Sequence, residues 1–164
     1  MQPIITGVSN GHNVKRILAL DVGSRRIGVA VSDPLGITAQ GLETIWRKNK
    51  RADFEQLGRV LAEYQVGEIV VGNPLHMSGD SGRQSEKMMQ FAGELGQRFA
   101  IPVHLRDERL TTSQAQRVLR ETNMSGPKRG KVVDQMAAVL ILQSFLESRF
   151  TPESPGEDGM NRDD

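Results

Sequence analysis

RILALDVGSRRIGVAVS, from Arg16 to Ser32, is the stretch from which the fold can be read. Arg16–Asp21 and Arg26–Ser32 are short apolar runs rich in β-formers, and Val22-Gly23-Ser24-Arg25 between them is a glycine-bearing connection of hairpin length. Asp33-Pro34-Leu35-Gly36 then has turn chemistry, and Ile37–Arg47 supplies a third, more polar strand. Three meandering strands give way to alternation. Phe54, Leu57, Val60, Leu61 and Tyr64 recur at helical spacing within Arg51–Tyr64, and Glu68–Gly72 (EIVVG) reads as a buried strand. Asn73–Gly82 is a Gly/Pro/Ser-rich loop, Ser85–Phe99 a second helix, and Pro102–Leu105 the start of a fifth strand that runs into Arg106–Arg109. Thr111 or Thr112 can cap a helix to about Glu121. A breaker-rich segment, Asn123–Gly130, precedes a last helix from Lys131 to about Phe150. This order predicts an α/β fold: a five-stranded mixed sheet, three antiparallel strands then two parallel ones, with helices on both faces.

The chain has 164 residues, about one domain's length. Residues 1–14 are expected to form a flexible leader, 15–150 the folded domain and 151–164 a disordered acidic tail. The net charge of +1 is unevenly spread: the tail holds five acids and one base, so 1–150 carries 20 bases against 15 acids. That mildly basic body suits a polyanionic partner as well as it suits an ordinary solvated surface. With no cysteine, disulfides, thiolate metal sites and thiol nucleophiles are excluded. No apolar run approaches the roughly 18 residues of a membrane span, and the first residues lack signal-peptide order. The expected location is cytoplasmic.

Three acids stand out. Asp21 ends an apolar strand, where acids commonly serve as turn formers. Glu108 lies in Asp107-Glu108-Arg109 at the end of the fifth strand; side chains alternate along a strand, so only one of Asp107 and Glu108 can share a site with Asp21. Asp134 lies on a helical stripe with Ala137, Ala138, Ile141 and Phe145, where a charge is costly unless paired or metal-bound. A first-turn position, favoured by the helix dipole, would explain Asp134 equally well. Together, neighbouring central strands can set Asp21 beside Glu108 and the last helix can lay Asp134 across them. An all-oxygen cluster suits Mg²⁺ or Mn²⁺, and such a cluster can hold two ions.

Ala19-Leu20-Asp21-Val22-Gly23 with Arg26, Gly28, Ala30 and Ser32-Asp33 resembles the opening hairpin of the YqgF/RuvX family. So do Ile69–Leu75 with Gly79, Asp107–Thr112, and Lys131–Asp134 with Ala137-Ala138. The four blocks, in order, cover about Arg16–Phe150. The resemblance implies a ribonuclease H-like fold, similar to the RuvC Holliday-junction resolvases. It also implies a nuclease of the kind regarded as maturing the precursor of small-subunit ribosomal RNA, with Asp21, Glu108 and Asp134 as catalytic and metal-binding acids. It selects Glu108 over Asp107. His76 and Ser78 depart from the family's loop pattern, where Asn and Asp are expected.

Lys128, Arg129 and Lys131 precede Asp134 and read either as a phosphate cradle at a helix N-terminus or as a solvated loop. Arg25, Arg26 and Arg109 lie near the expected metals and could hold phosphates. His76 reads as a surface residue and His104 as structural; Trp46 is expected to pack at a strand end. The expected function is metal-dependent phosphodiester hydrolysis at the 5′ end of pre-16S rRNA, by a monomer or homodimer acting on RNA or ribosomal precursor particles. Cleavage of branched DNA, a non-catalytic RNA-binding assembly module and an ATP-handling domain are the alternatives; the last normally needs two such lobes.

Overall fold

The computed structural model describes residues 15–73, 81–107 and 127–150. Their elements are β1 (Arg16–Val22), β2 (Arg26–Ser32), β3 (Ala39–Trp46), α1 (Lys50–Glu63), β4 (Val66–Asn73), α2 (Ser81–Phe99), β5 (Val103–Asp107) and α3 (Pro127–Phe150). The leader 1–14, the loop residues 74–80 with His76, the segment 108–126 with Glu108, Arg109 and the expected capped helix, and the tail 151–164 lie outside the described residues.

The sheet order is β3-β2-β1-β4-β5. β1 pairs antiparallel with β2, and β2 with β3, whereas β4 joins β1 in parallel and β5 joins β4 in parallel. The expected mixed sheet is therefore present. β1 lies at the switch between the two pairing modes, and its central residues are buried on both faces, which is why it reads as an unbroken apolar run. The hairpin turn after β2 is fixed by Asp33, whose Oδ1 accepts from the backbone N–H groups of Ile37 (2.7 Å) and Thr38 (2.8 Å). Those donors hold the Asp33 carboxyl below its ordinary range.

The two faces are packed by different chemistry. Leu18, Leu20, Val29, Val31, Ile69 and Val71 meet Phe54, Leu57 and Leu61 of α1 and Leu95 of α2. The opposite face offers smaller residues, Ala19 and Ala30 with Ile17 and Val70, to Ala138, Ile141, Leu142, Phe145 and Leu146 of α3. Small residues on both sides let α3 approach the sheet closely. The buried stripe of α3 is wider than expected, since Leu142 and Leu146 join it.

Two helices begin earlier than the sequence reading predicts. α3 starts at Pro127 rather than Lys131; proline's fixed φ and missing N–H suit the first helical position, so a breaker becomes an initiator. α2 starts at Ser81 rather than Ser85, so the end of the expected loop is helical.

Ser32, almost wholly buried, accepts from the Ile17 backbone N–H through Oγ at 2.9 Å, where the β1–β4 register shifts between Arg16 and Ile17. The hydroxyl occupies a donor that the irregular ladder would leave unmet. Ser32→Ala is expected to destabilise the fold by about 1–3 kcal/mol, the usual cost of a buried unsatisfied donor; urea denaturation of the two proteins checks this, and equal midpoints would refute it.

Candidate active site

Alternation along the strands decides which side chains can meet. On β1, Asp21 shares parity with Ile17 and Ala19 and so belongs to the α3 side of the sheet. It pairs in register with Gly28 of β2, and Arg26 pairs with Trp46 of β3. Arg26, Gly28 and Ala30 share that same face. α3 crosses it here: a Cβ added to Gly28 would fall onto the carbonyl oxygen of Asp134 and lie 2.5 Å from its carbonyl carbon. Any side chain at 28 would lift the helix. Further along β3, Gln135 packs on Gly41 and its Nε2 donates to the Leu42 carbonyl at 2.9 Å, fastening the same turn of α3 to the edge strand.

Asp134 is the eighth residue of a helix that begins at Pro127, and no acid occupies the first turn. The dipole explanation for Asp134 therefore fails, because that interaction fades beyond the first turn. Its inward stripe is what accounts for it. Arg26 Nε stands 2.8 Å from Asp134 Oδ2, with both side chains mostly covered. The contact is an ion pair by distance, but Oδ2 is buried and among the described residues makes no properly aligned hydrogen bond. Burial raises the Asp134 carboxyl to about 6; the Arg26 charge opposes this, and the charge of Asp21 adds to it. Asp21 and Asp134 are thus electrostatic neighbours.

The other expected site residues divide as follows. Arg25 is exposed in the β1–β2 connection, and its carbonyl accepts from the Arg47 N–H at 2.8 Å. Arg26 lies at the centre, its guanidinium 5.5 Å above the Trp46 ring and against Gly130 of α3. Lys128 and Arg129 belong to the opening of α3 rather than to the expected loop before it, which corrects that placement, and Lys131 is helical as expected; the side chains of all three are not among the described ones. Glu108 and Arg109 lie outside the described residues.

His104 is structural, as expected: Nε2 lies 2.6 Å from Glu68 Oε1, which also pairs with Arg149, and its ring packs on Phe145. Trp46 ends β3 as expected, yet 45% of it is exposed. Two features escape the sequence reading. Gly28 is decisive because of a helix more than a hundred residues downstream. Asn73, at the C-terminal end of β4, donates to Ser85 Oγ at 3.3 Å while its buried Oδ1 has no hydrogen-bond partner among the described residues. Asp21, Asn73 and β5's end lie at the carboxyl ends of adjacent parallel strands, where open α/β sheets bind ligands.

Among the described residues no three acids or histidines group as a metal site. The pair present nonetheless fits a hard cation: two carboxylates on one face, one with a buried oxygen lacking an aligned donor. No helix among the described residues is long and apolar enough to cross a membrane.

A family profile described as "RuvX: Holliday junction resolvase" matches residues 15–148. A protein of Koribacter versatilis, provisionally named a pre-16S rRNA nuclease, is 59% identical over 134 residues, 82% of this chain and 88% of that protein. A protein of Thermoanaerobacter pseudethanolicus with the same provisional name is 51% identical over 135 residues, 82% of this chain and 97% of that one. In fold, the chain is similar to a fowlpox virus resolvase solved with Holliday junction DNA (TM-score 0.52, 14% identity, 83% of this chain and 99% of that chain).

Two measurements test this geometry. Gly28→Ala should displace α3 and cost about 1–3 kcal/mol of stability as an overpacked contact; a crystal structure with α3 unmoved and an unchanged melting temperature would contradict the close approach. Asp134 supplies a pH signature. Its folded value of about 6 exceeds the ordinary 3.8, so between those values the folded chain holds a proton that the unfolded chain has lost. Stability from this group is full below about pH 4 and falls as pH rises through about 6. Without divalent ions, Asp134→Asn should remove that downward slope; parallel stability–pH curves for the two proteins would refute it.

Proposed function

The chain belongs to the RuvX family, and from that membership we propose that it is a metal-dependent nuclease that hydrolyses phosphodiester bonds of pre-16S rRNA in ribosome maturation. The relatives at 59% and 51% identity carry that provisional name over nearly their whole length. The observation that carries the reading to chemistry is the meeting of Asp21 and Asp134 over Gly28. A buried acid with a raised pKa beside a second acid is a costly arrangement for folding and a useful one for binding a cation.

Asp21 and Asp134 would hold Mg²⁺ or Mn²⁺, with Glu108 as third ligand. Membership of the family supports Glu108 over Asp107 in that role. Bound there, one or two ions would supply an activated water and neutralise charge on the leaving 3′ oxygen, giving 5′-phosphate and 3′-hydroxyl ends. The chain's own part is to orient and to balance charge. The carboxylates would hold the cation near the carboxyl end of β1, and Arg26, beside Asp134, can meet a phosphate oxygen. Arg25, Arg109, Lys128, Arg129 and Lys131 would bind the flanking backbone, contributing affinity more than sequence preference. Such a protein would act in the cytoplasm.

The description of the family profile favours a second substrate, branched DNA. Purified protein offered both a pre-16S rRNA fragment and a four-way DNA junction in Mg²⁺ or Mn²⁺ separates the two, and rRNA end-mapping in depleted cells shows which matters there. Asp21→Asn and Asp134→Asn should each lower cleavage on the order of 10²-fold or more with an unchanged circular-dichroism spectrum. Variants that cut as fast as wild type would end the assignment of these acids.

A further inference from the structure

Arg26 is held in three ways, and only one is electrostatic pairing with Asp134. Its Nε lies 2.8 Å from Asp134 Oδ2. Its guanidinium lies 5.5 Å from the centre of the Trp46 ring. Its Nη1, Nη2 and Cζ fill the space that a side chain at Gly130 would need. A permanent arginine–carboxylate lock normally presents two parallel, aligned N–H bonds. Here Nε makes the close approach, and among the described residues Oδ2 receives no aligned hydrogen bond. The pair thus rests on one Nε–Oδ2 approach, and the guanidinium has two further neighbours, the Trp46 ring and Gly130.

Charge sets what the exchange does. Asp21 and Asp134 together bring two negative charges to one face and Arg26 returns one. A divalent cation held by the two carboxylates would neutralise them and leave the guanidinium without its carboxylate partner. The part-exposed arginine would then carry an uncompensated positive charge beside the two acids, and a phosphodiester is an anion that would satisfy it.

Resting on the nuclease reading above, we propose that Arg26 is a displaceable counterion: it holds the Asp134 carboxylate in the metal-free protein, yields Oδ2 to a divalent cation, and is thereby released to grip a phosphate of the nucleic acid. Trp46 and Gly130 are its cradle. Metal binding and phosphate binding are coupled through this one side chain: Arg26 offsets part of the repulsion between the acids in the empty site, which is primed for substrate only when loaded.

Trp46 is the sole tryptophan, so its emission reports on the guanidinium above it. In wild type, Mg²⁺ should shift that emission saturably, and metal-free Asp134→Asn should already show the Mg²⁺-saturated emission. Arg26→Gln should lose the emission response while binding Mn²⁺, counted as loss of the free-ion EPR signal, about two- to fivefold more tightly. With an RNA oligonucleotide, Arg26→Gln should weaken binding about three- to tenfold in Ca²⁺ and leave it unchanged without divalent ions. Arg26→Lys, which keeps the charge and the folded state with less change, should retain part of the Ca²⁺-dependent binding. An equal loss of RNA affinity with and without Ca²⁺, or Mn²⁺ binding in wild type with no change in Trp46 emission, overturns the exchange and leaves the nuclease reading standing. No Mn²⁺ bound by either protein overturns both.

Discussion

Helix α3 lies on β2 without any side chain between them at Gly28, and the rest of the site follows from that contact. The backbone of Asp134 rests where a Cβ would be. Ala19, Ala30, Ala137 and Ala138, all fully buried, continue the close approach on either side. On the other face the sheet meets α1 and α2 through leucine, valine, isoleucine and phenylalanine, which hold those helices farther off. One face is thus built for apolar burial, at about 1.5–3 kcal/mol for each large side chain. The other is built to deliver a carboxylate to the end of β1.

That delivery works against folding. Burial of Asp134 near Asp21 favours the protonated acid, and the raised pKa is the measure of the penalty. The sheet tolerates it because the surrounding frame is secured independently. Gln135 ties the same helical turn to Leu42. On the far side of the hairpin, Arg47 donates to the Gly23 carbonyl at 2.8 Å and pairs with the buried Asp53, which also accepts from the Lys48 N–H at 3.0 Å. Asn49 caps α1 through the Ala52 N–H at 2.9 Å. The β1–β2 connection is therefore braced from β3 and α1 while the acids on its inner face are held from α3. A locally unfavourable group persisting in an over-determined frame is what functional sites commonly look like.

Much of the fold was legible because its signals are local. RILALD and RIGVAVS announce a hairpin by composition and spacing, and the alternation after Arg47 announces helices and parallel strands. Element ends were less legible: Pro127 reads as a breaker from its neighbours and acts as an initiator once a helix lies behind it. Among the acids, Asp134 was legible as an inward charge on an apolar stripe. The choice between that and a first-turn acid needed the true helix start, seven residues upstream.

The sequence by itself determined the order of elements, the apolar faces and the candidate acids, because these depend on residue type and on periods of two and 3.6. Only the tertiary structure decided that Asp21 and Asp134 are neighbours, that Arg26 stands between Asp134 and Trp46, and that Gly28 and Gly130 must lack side chains. Those relations join residues up to 113 positions apart. They arise from strand register and from how closely a helix can settle on a sheet, and packing fixes both of those without writing either in any short stretch of chain.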